Sequence, residues 1–577
     1  IASLWLLRRL AKLPAAALTV ALALGVWLHQ PARPDALLAT SPLNVDSRGR
    51  ILFYDVGRSA SVIVLAQDGG LALRTNGLPE ALMDTPGLAP RFSGEFWLSP
   101  IATVLRPEIR TMLIVGYGGG VVVEGIAPSV RQFDVIELEP VVIDANKATR
   151  SLRRRDPLND IRMRLITNDA RGALRLTAKR YDAIVSQPSH PWTAGASHLY
   201  TREFMQLARA HLNDGGVFVQ WMNVAFVNEA LLRSLTATII DVFGQVRIYR
   251  PDPNTLVFVG SAAPLAPEER LLSSGLPLTL TPAHYRRYGI GSAEDLVFAL
   301  AADEDGARRL ARGAPLITDD DNRIATSTVY NLGAGLSADA AGRILAAYDP
   351  LQDGSSWIYR HFRDRLAFPY IVRRNLSMAA LDPSLVDRSR RIVAALGPSP
   401  ASALAESLLL NAQGRHEAAR QRLREAAAIY PDDAGVQYAW LQSQFQTLRG
   451  AAPGAELVAA LQRLPPSAQA TLRGLANTSA ERYPELAKLD PILAQSAWTD
   501  PWRTDATLLR ADWRAHVSTP ERRKAFAEQA IELIDLETML APSAGALALR
   551  LAAALGADRP EIMLESIYSL ANWDLAM

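Results

Sequence analysis

Residues 111–120, TMLIVGYGGG, contain the pattern that decides the fold. Thr111–Val115 is a short run of apolar residues, which predicts a buried strand. Four glycines follow between Gly116 and Gly120, with one tyrosine among them. Glycine lets the backbone turn sharply and approach a ligand closely, and the N-terminus of a following helix favours negative charge. The segment therefore predicts a strand, a ligand-binding turn and a helix.

Strands and helices alternate from residue 111 to residue 261. Helical segments such as 202–212 separate runs of strand-forming residues, which are 111–115, 132–138, 163–167, 181–185, 217–221, 246–249 and 256–259. This alternation favours a parallel, doubly wound sheet with right-handed crossovers. The fold class is therefore α/β, a Rossmann-like fold of the S-adenosylmethionine-type methyltransferase kind. Such sheets bind ligands at the carboxyl ends of their strands.

The glycine spacing distinguishes two classes of nucleotide ligand. The turn reads G-x-G-x-G over Gly116, Gly118 and Gly120. Val121 stands where the G-x-G-x-x-G pattern requires its third glycine. This departure argues against a dinucleotide. A glycine-rich turn alone is weak evidence for a ligand, so the prediction depends on the residues that end the next two strands.

Acidic residues end the second and third predicted strands. Glu137 lies where a carboxylate can accept hydrogen bonds from both ribose hydroxyls. Asp169, which follows Asn168, can accept a hydrogen bond from an adenine amino group. With the glycines, these acids predict a pocket for an S-adenosylmethionine-type nucleoside. The alternative is a Rossmann-like domain whose turns serve packing only.

Residues 1–32 contain an apolar, uncharged run at 13–28 that follows three basic residues. A bilayer core needs roughly 20 apolar residues as helix, so the run predicts a short transmembrane segment. A signal peptide and a buried core helix are the alternatives. Because the chain starts at Ile1 and not at Met, we expect it to be processed or part of a longer protein. The positive-inside bias puts the rest of the chain on the non-cytoplasmic side of the membrane.

The remaining chain divides into four predicted regions. They are an N-terminal β-hairpin unit at 45–95 with a turn at 68–70, the Rossmann-like domain at 96–262, a mixed extension at 263–335 and an α-helical domain at 336–577. In the helical domain, small and large residues match a tetratricopeptide repeat at Gly414, Ala419, Leu423, Ala426 and Pro431. Pro465 then recurs at the roughly 34-residue period of that repeat. An ordinary array of helical hairpins is the alternative.

The composition excludes several functions. The chain has 577 residues and no cysteine, which rules out disulfides, thiol catalysis and cysteine-ligated metals. Its formal net charge of +2 gives no electrostatic reason to expect nucleic acid as a partner. We also expect no metal, because no short ligand spacing supports a site built from His190, His198 and residues 319–321.

Residues 50–261 resemble the spermidine synthase family, the aminopropyltransferases. The motifs that carry the resemblance are LIVGYGGG at 113–120, VIELE at 135–139, YDAIVSQPSHPWTAGASHLYTREF at 181–204 and GGVFVQW at 215–221. They are most similar to membrane-fused, spermidine-synthase-like bacterial proteins. The resemblance implies S-adenosylmethionine or its decarboxylated form at the glycines, Glu137 and Asp169. It also implies that the β unit covers the active site and can pair two subunits into a homodimer.

This chain departs from the family at the catalytic positions. The family's D-x-x-D-P pattern falls on residues 187–191, with Gln187 and His190 in place of the two aspartates. An amide has no useful basicity and carries no charge, so a cationic polyamine would lose its counter-ions. The family's Tyr-His-Glu falls on residues 93–95, where only Glu95 remains. Gly119 also stands where the family's glycine loop has an aspartate.

The sequence allows two interpretations for each of His190 and Trp192. His190 could replace the missing base, since its ordinary pKa suits proton transfer near neutrality. The alternative, which we favour, is that His190 and His198 are loop histidines with local hydrogen bonds. Trp192 could stack on a ligand ring, but aromatic packing is the commoner role.

Two functions from different classes fit these residues. The first is a membrane-anchored accessory or scaffold subunit without polyamine synthase activity, which binds protein partners through residues 336–577. The second is an active S-adenosylmethionine-dependent transferase, for aminopropyl or methyl groups, on an unknown acceptor. The replaced carboxylates at Gln187 and His190 favour the first. A sensor that binds a polyamine or nucleoside without turnover is a third and weaker hypothesis.

Overall fold

A computed structural model describes most of the chain. The described residues are 12–29, 38–40, 48–67, 69–89, 92–193, 195–274, 282–330, 335–448, 455–476, 482–517 and 519–571. Asp68, the first residue of the predicted hairpin turn, lies outside them. Large apolar side chains of the N-terminal helix Lys12–His29, among them Leu18, Leu22 and Trp27, are exposed. Within the described ranges no helix is both long and apolar enough to cross a membrane.

A four-stranded antiparallel sheet precedes the central domain. Its strands are β1 (Arg50–Val56), β2 (Ser61–Gln67), β3 (Gly70–Thr75) and β4 (Leu78–Met83), which pair in sequence order. The predicted β unit is therefore present and has a further hairpin, because β3 and β4 are joined by Asn76 and Gly77. Both of these residues have positive φ, 49° and 77°, as a two-residue hairpin turn requires.

The central sheet contains the predicted strands with small changes at their ends. They are β5 (Thr111–Val115), β6 (Gln132–Glu137), β7 (Met163–Thr167), β8 (Tyr181–Ser186), β9 (Leu212–Asn223), β10 (Gln245–Asp252) and β11 (Thr255–Ser261), and β12 (Leu300–Ala302) joins them. The order is β12-β10-β11-β9-β8-β5-β6-β7. Alternate residues of one strand enter two different hydrophobic cores, as Met112 and Leu113 of β5 do. Both faces of the sheet are therefore covered.

The sheet is mixed rather than entirely parallel as predicted. Strands β5 to β9 pair in parallel, whereas β11 is antiparallel to β9, and β10 is antiparallel to both β11 and β12. Only Pro253 and Asn254 separate β10 from β11, and a parallel connection needs a dozen or more residues. The carboxylate of Asp252 closes this turn by accepting from the backbone N–H of Asn254 at 2.7 Å. The short connection therefore imposes the antiparallel pairing.

Helices surround the sheet and continue into its extension. They are Leu98–Leu105, Val121–Glu124, Pro140–Thr149, Ala170–Arg175, Arg202–Ala210, Glu229–Phe243, Glu268–Ser274, Pro282–Arg286, Ala293–Ala299, Glu304–Ala311 and Arg323–Tyr330. A 3-10 helix at Gly94–Trp97 leads into the first of them. Strand β12 lies between two helices of the predicted mixed extension, so this region belongs to the same sheet.

The C-terminal region is helical, as predicted. Its helices are Ala338–Leu345, Trp357–Phe362, Phe368–Ser377, Ser384–Leu396, Pro400–Ala412, His416–Ile429, Ala434–Leu448, Ala455–Gln462, Pro466–Ala476, Arg482–Leu493, Arg503–Ala515, Pro520–Leu540, Ala544–Ala557 and Pro560–Ala571. Gly414, with φ of 72°, turns one helix onto the next at the predicted repeat. The later helices vary from 8 to 21 residues, so a regular tetratricopeptide array is not supported.

A buried carboxylate joins the helical region to the sheet extension. Asp295 is fully buried and accepts from the hydroxyl of Tyr370 at 2.7 Å and from the indole N–H of Trp498 at 2.9 Å. Arg374 donates to the same carboxylate at 3.1 Å. A buried charge is stable only when it is paired and hydrogen-bonded, and here the partners come from distant helices.

Candidate active site

The glycine loop after β5 lies against the loop after β8. Gly116 has φ of 91°, and a Cβ atom there would lie 2.4 Å from the carbonyl oxygen of Gln187. Only glycine allows this approach. Gly118, with φ of 52°, has nothing within 4 Å of the corresponding position. The loop therefore packs tightly on one side and faces open space on the other.

Two side chains beneath the glycine loop hold its carbonyl groups. Asn146 donates to the Gly118 carbonyl oxygen at 2.9 Å, and Arg153 donates to that of Gly119 at 2.7 Å. The buried Arg153 also forms an ion pair with Glu124 at 2.9 Å. These contacts fix the loop in one conformation.

Glu137 holds the same loop from the end of β6. Its Oε2 accepts from the backbone N–H groups of Tyr117 at 2.9 Å and Gly118 at 3.3 Å, and its Oε1 accepts from Glu139 at 2.9 Å. Burial raises the pKa of Glu137, and these N–H donors oppose the rise. The carboxylate is thus used mainly to position the loop, and its predicted contact with ribose stays a prediction.

Asp169 caps its own helix. Its carboxylate accepts from the backbone N–H of Gly172 at 2.7 Å, at the start of Ala170–Arg175. The side chain is exposed. Glu137 pairs with Thr167 across β6 and β7, so both acids lie at the same edge of the sheet. Asp169 retains oxygen lone pairs for a ligand, and its adenine contact also stays a prediction.

A cavity of about 240 Å³ opens at the carboxyl ends of β5, β8 and β9. Gly118 lines it from the glycine loop, and Gln187 and His190 line it from the loop after β8. Strand β4 contributes Glu80, and the 3-10 helix contributes Glu95. The β unit therefore forms one wall, and neither Glu137 nor Asp169 is among the lining residues. Gln187 and His190, which the sequence analysis predicted as replaced catalytic positions, thus lie together with the glycine loop.

Glu95 has the most strongly altered titration in this cavity. Burial raises its pKa to about 7; repulsion from Asp252 and Glu80 adds to the rise, and a hydrogen bond from the Gln187 side chain opposes it. A carboxyl group with a pKa near neutrality can take up or release a proton at physiological pH. Sequence reasoning recorded Glu95 only as the remnant of a motif and missed its role in the cavity.

Glu80 is the second carboxylate of the cavity, and no motif in the sequence points to it. It accepts from the hydroxyl of Ser189 at 2.5 Å and from that of Thr75. Glu80 and Glu95 thus place two carboxyl groups in the cavity, although Gln187 and His190 carry none. Ionised carboxylates favour a cation as ligand.

His190 and Trp192 belong to one aromatic cluster. The His190 ring lies 5.0 Å from that of Trp192 and 4.9 Å from that of Phe226. Trp192 meets Phe226 edge to face at 5.0 Å, and Trp221 contacts the same ring at 5.7 Å. Trp192 therefore packs within the loop, as the commoner interpretation predicted.

His198 lies apart from this cluster. It is exposed, and its Nδ1 lies 3.5 Å from Asp319. Arg171 binds that carboxylate with both terminal nitrogens, at 2.7 and 2.5 Å, and Thr201 donates to it at 2.7 Å. The Arg171 guanidinium holds the pKa of Asp319 far below its usual range. The cluster is thus an ion pair that fastens a loop, and no metal-binding group of acids and histidines occurs among the residues the structure describes.

The fold and the cavity define a Rossmann-like domain with a glycine loop beside an acidic pocket. Residues 97–250 match the family model of the spermine/spermidine synthase domain. The chain thus contains a spermidine-synthase-like domain, with an aminopropyltransferase-like fold.

Curated relatives match over the same part of the chain. Polyamine aminopropyltransferase 1 of Pseudomonas aeruginosa is 26% identical over 171 residues, which are 29% of this chain and 59% of the relative. The polyamine aminopropyltransferase of Korarchaeum cryptofilum is 26% identical over 149 residues, 26% of this chain and 46% of the relative. The chain thus spans about half the length of these relatives.

The chain also matches solved structures, among them a spermidine synthase and a probable spermidine synthase. That of Thermotoga maritima has a TM-score of 0.33 and 17% identity, and covers 42% of this chain and 84% of its own. A probable spermidine synthase from Corynebacterium glutamicum has a TM-score of 0.34 and 17% identity. This match covers 47% of the present chain and 97% of the Corynebacterium chain.

Proposed function

We propose that this chain transfers an alkyl group from a sulfonium donor of the S-adenosylmethionine type to an amine. The observation that carries the proposal is Glu95, a carboxyl group with a pKa of about 7 in the cavity beside the glycine loop. The spermidine synthase family uses decarboxylated S-adenosylmethionine as its aminopropyl donor, which makes that molecule or S-adenosylmethionine the expected donor.

The residues around the glycine loop fit such a donor. The backbone of Gly118 faces open space, so a nucleoside can approach it without a side-chain clash. Glu137 and Arg153 fix the loop from behind. Asp169, exposed at the neighbouring strand end, has acceptor capacity for an adenine amino group. These residues would bind and orient the donor.

The cavity supplies what an amine acceptor needs. Glu80 and Glu95 provide counter-charge for an ammonium group in place of the two replaced carboxylates. His190 adds an acceptor, because its Nδ1 is buried without a hydrogen-bond partner in the described ranges. An ammonium group has three N–H donors to satisfy, and these side chains can accept them.

Glu95 acts as the base in this scheme. An ammonium nitrogen has no lone pair, so Glu95 first takes one of its protons. The nitrogen then forms a bond to the carbon attached to the sulfonium, the carbon–sulfur bond breaks, and its electron pair returns to sulfur. The positive charge passes from sulfur to nitrogen, which becomes a dialkylammonium, and Glu95 releases the proton it took to solvent. Gln187 positions the Glu95 carboxylate by donating to it.

A second candidate is a non-catalytic accessory or scaffold subunit. The presence of Gln187 and His190 in place of two aspartates favours it, and the helices between Ala338 and Ala571 offer a large surface for protein partners. In this proposal the chain is anchored in a bacterial inner membrane with its folded part in the periplasm, and two copies can pair through the β unit.

A turnover experiment separates the two candidates. The full chain is incubated with decarboxylated S-adenosylmethionine or S-adenosylmethionine and a series of diamines, and the release of methylthioadenosine or S-adenosylhomocysteine is measured. We expect Glu95→Gln to lower the rate by about 10²–10⁴. Glu425→Gln, on an exposed helix surface, is the matched control. If no donor and diamine together yield product, and methylthioadenosine gives no heat of binding, the transferase proposal is wrong and the accessory role is supported.

A further inference from the structure

A second and larger cavity lies between the Rossmann-like domain and the C-terminal helices. Its volume is about 800 Å³, within the usual range for small-molecule sites. Arg154 and Arg155 line it from the loop after Pro140–Thr149, and Arg286 and Arg287 line it from the sheet extension. The helical region adds further arginines on the opposite wall. This arginine-rich cavity shares no lining residue with the acidic cavity.

The first four arginines are not neutralised by carboxylates. None of Arg154, Arg155, Arg286 and Arg287 forms an ion pair within the described part of the chain. Arg155 donates to the hydroxyl of Tyr288 at 3.2 Å, and Arg154 donates to a backbone carbonyl. Both acceptors are neutral, so these two guanidinium groups interact with the carboxylates of Glu124 and Asp535 only at longer range.

Most acids of the same cavity already have arginine partners. Glu124 pairs with Arg153, Glu528 with Arg559 and Asp535 with Arg550, at 2.7 to 3.0 Å. Asp84 and Glu532 also line the cavity. Five lining carboxylates therefore face eight lining arginines, and the cavity keeps an excess of positive charge.

Like charges also meet on the opposite wall. Arg510 and Arg514 share the single carboxylate of Asp490, at 3.0 and 2.8 Å. Arg286 and Arg503 both lie over the ring of Trp498, at 5.4 and 5.2 Å. Burial lowers the pKa of Arg286, and repulsion from Arg503 lowers it further. Arg503 also pairs with Glu537 at 2.9 Å. Two carboxylates thus serve four arginines, and the remaining positive charge attracts an anion.

We propose that this cavity binds a small molecule carrying several phosphate groups. The guanidinium fork matches phosphate oxygens with paired hydrogen bonds, and one phosphate group carries about −1.5 to −2 charge at neutral pH. Several arginines therefore require more than one negative charge. The site is recessed between two parts of the chain and is matched to a soluble molecule rather than to a surface. The proposal is independent of the transferase proposal.

Calorimetric titration of the full chain with inorganic triphosphate and with ATP tests this site. We expect saturable binding of one molecule per chain that weakens as salt is raised. The double variant Arg286→Ala/Arg287→Ala should weaken binding by at least about tenfold, because each lost charge-assisted hydrogen bond contributes to affinity. The variant Arg286→Lys/Arg287→Lys keeps the charge and should bind with intermediate affinity.

A matched control removes two arginines elsewhere. Arg308 and Arg309 are adjacent and exposed on Glu304–Ala311, so Arg308→Ala/Arg309→Ala makes the same change in charge and should bind like the unaltered chain. The absence of heat with both triphosphate and ATP, or equal losses in the two alanine variants, would overturn the proposal. Tighter association with phosphatidylglycerol vesicles than with triphosphate would also overturn it, in favour of a lipid surface.

Discussion

The imidazole Nε2 of His190 lies 2.8 Å from the carbonyl oxygen of Pro79. A carbonyl oxygen can only accept, so Nε2 carries the proton and Nδ1 is left as an acceptor. Nδ1 is buried and has no hydrogen-bond partner among the residues described, which costs free energy unless a ligand supplies a donor. The contact thus joins the loop after β8 to β4 and leaves Nδ1 as the ring nitrogen that can accept a hydrogen bond.

Replacing His190 should therefore affect acceptor binding more than the chemical step. We expect His190→Ala to raise KM for the amine by about tenfold, the value of one charge-assisted hydrogen bond, with kcat nearly unchanged. Steady-state kinetics with varied diamine measures both constants. His198→Ala, at an exposed histidine outside the cavity, is the control. A fall in kcat at constant KM would instead make His190 the base.

Glu95 should give the stability of the protein a pH dependence. Its pKa in the folded protein is about 7, above the ordinary 4.5. The protonated form is therefore favoured by folding. This contribution is fully present below pH 4.5 and is lost as pH rises through about 7.

The Glu95→Gln variant should not lose stability as pH rises through about 7, because glutamine does not ionise. At pH 8 its free energy of unfolding should exceed that of the unaltered chain, by no more than about 3 kcal/mol, and the two should converge near pH 4.5. Urea unfolding across this range measures the difference. Parallel curves for the two proteins at all pH values would show that the Glu95 carboxyl has an ordinary pKa.

Restoring the first family aspartate should move the titration of Glu95. Gln187→Asp removes a hydrogen-bond donor to the carboxylate and adds a negative charge beside it. Both changes disfavour ionisation, so the pH at which stability is lost should rise above 7. The measurement is urea unfolding as a function of pH. Gln413→Asp, at an exposed helix end, should leave the midpoint in place, and a downward shift in Gln187→Asp would contradict the assigned contact.

Two glycines of one loop should differ in their tolerance of alanine. Gly116→Ala places a Cβ atom 2.4 Å from the Gln187 carbonyl oxygen, and we expect a loss of about 3 kcal/mol or more. Gly118→Ala meets open space and should cost only about 1–2 kcal/mol from its left-handed backbone. Chemical unfolding of both variants tests this. Equal losses would mean that the glycine loop does not contact the loop after β8.

Asp295 should hold the helical region to the sheet extension. Asp295→Ala leaves Arg374 without its buried partner, and breaking a buried ion pair costs about 3–5 kcal/mol. In thermal unfolding, the variant should have a lower midpoint temperature than the unaltered chain. Asp305→Ala, whose side chain is 88% exposed, should change stability by less than about 0.5 kcal/mol. No effect of Asp295→Ala would mean that the region folds independently of this contact.

The strands of the central sheet could be predicted because their signals are local. Thr111–Val115 and Met163–Thr167 have the predicted ends, since a run of apolar residues between turns specifies a strand without outside help. Strand β12 was missed because Leu300–Ala302 is too short to form a recognisable run. It exists only because β10 offers it an edge. The antiparallel pairing of β10 and β11 follows from the two-residue turn between them. The apolar pattern of the strands does not indicate their direction.

The glycine turn, the alternation of strands and helices and the presence of Gln187 and His190 after β8 could all be read along the chain. These features depend on residue type and on spacing along the chain. Three other features required the folded chain. Glu137 holds the glycine loop, Glu80 and Glu95 share a cavity with Gln187, and arginines from distant segments line one cavity. The physical reason is that the pKa of a group such as Glu95 depends on burial and on charges such as Asp252, which approach it only after folding.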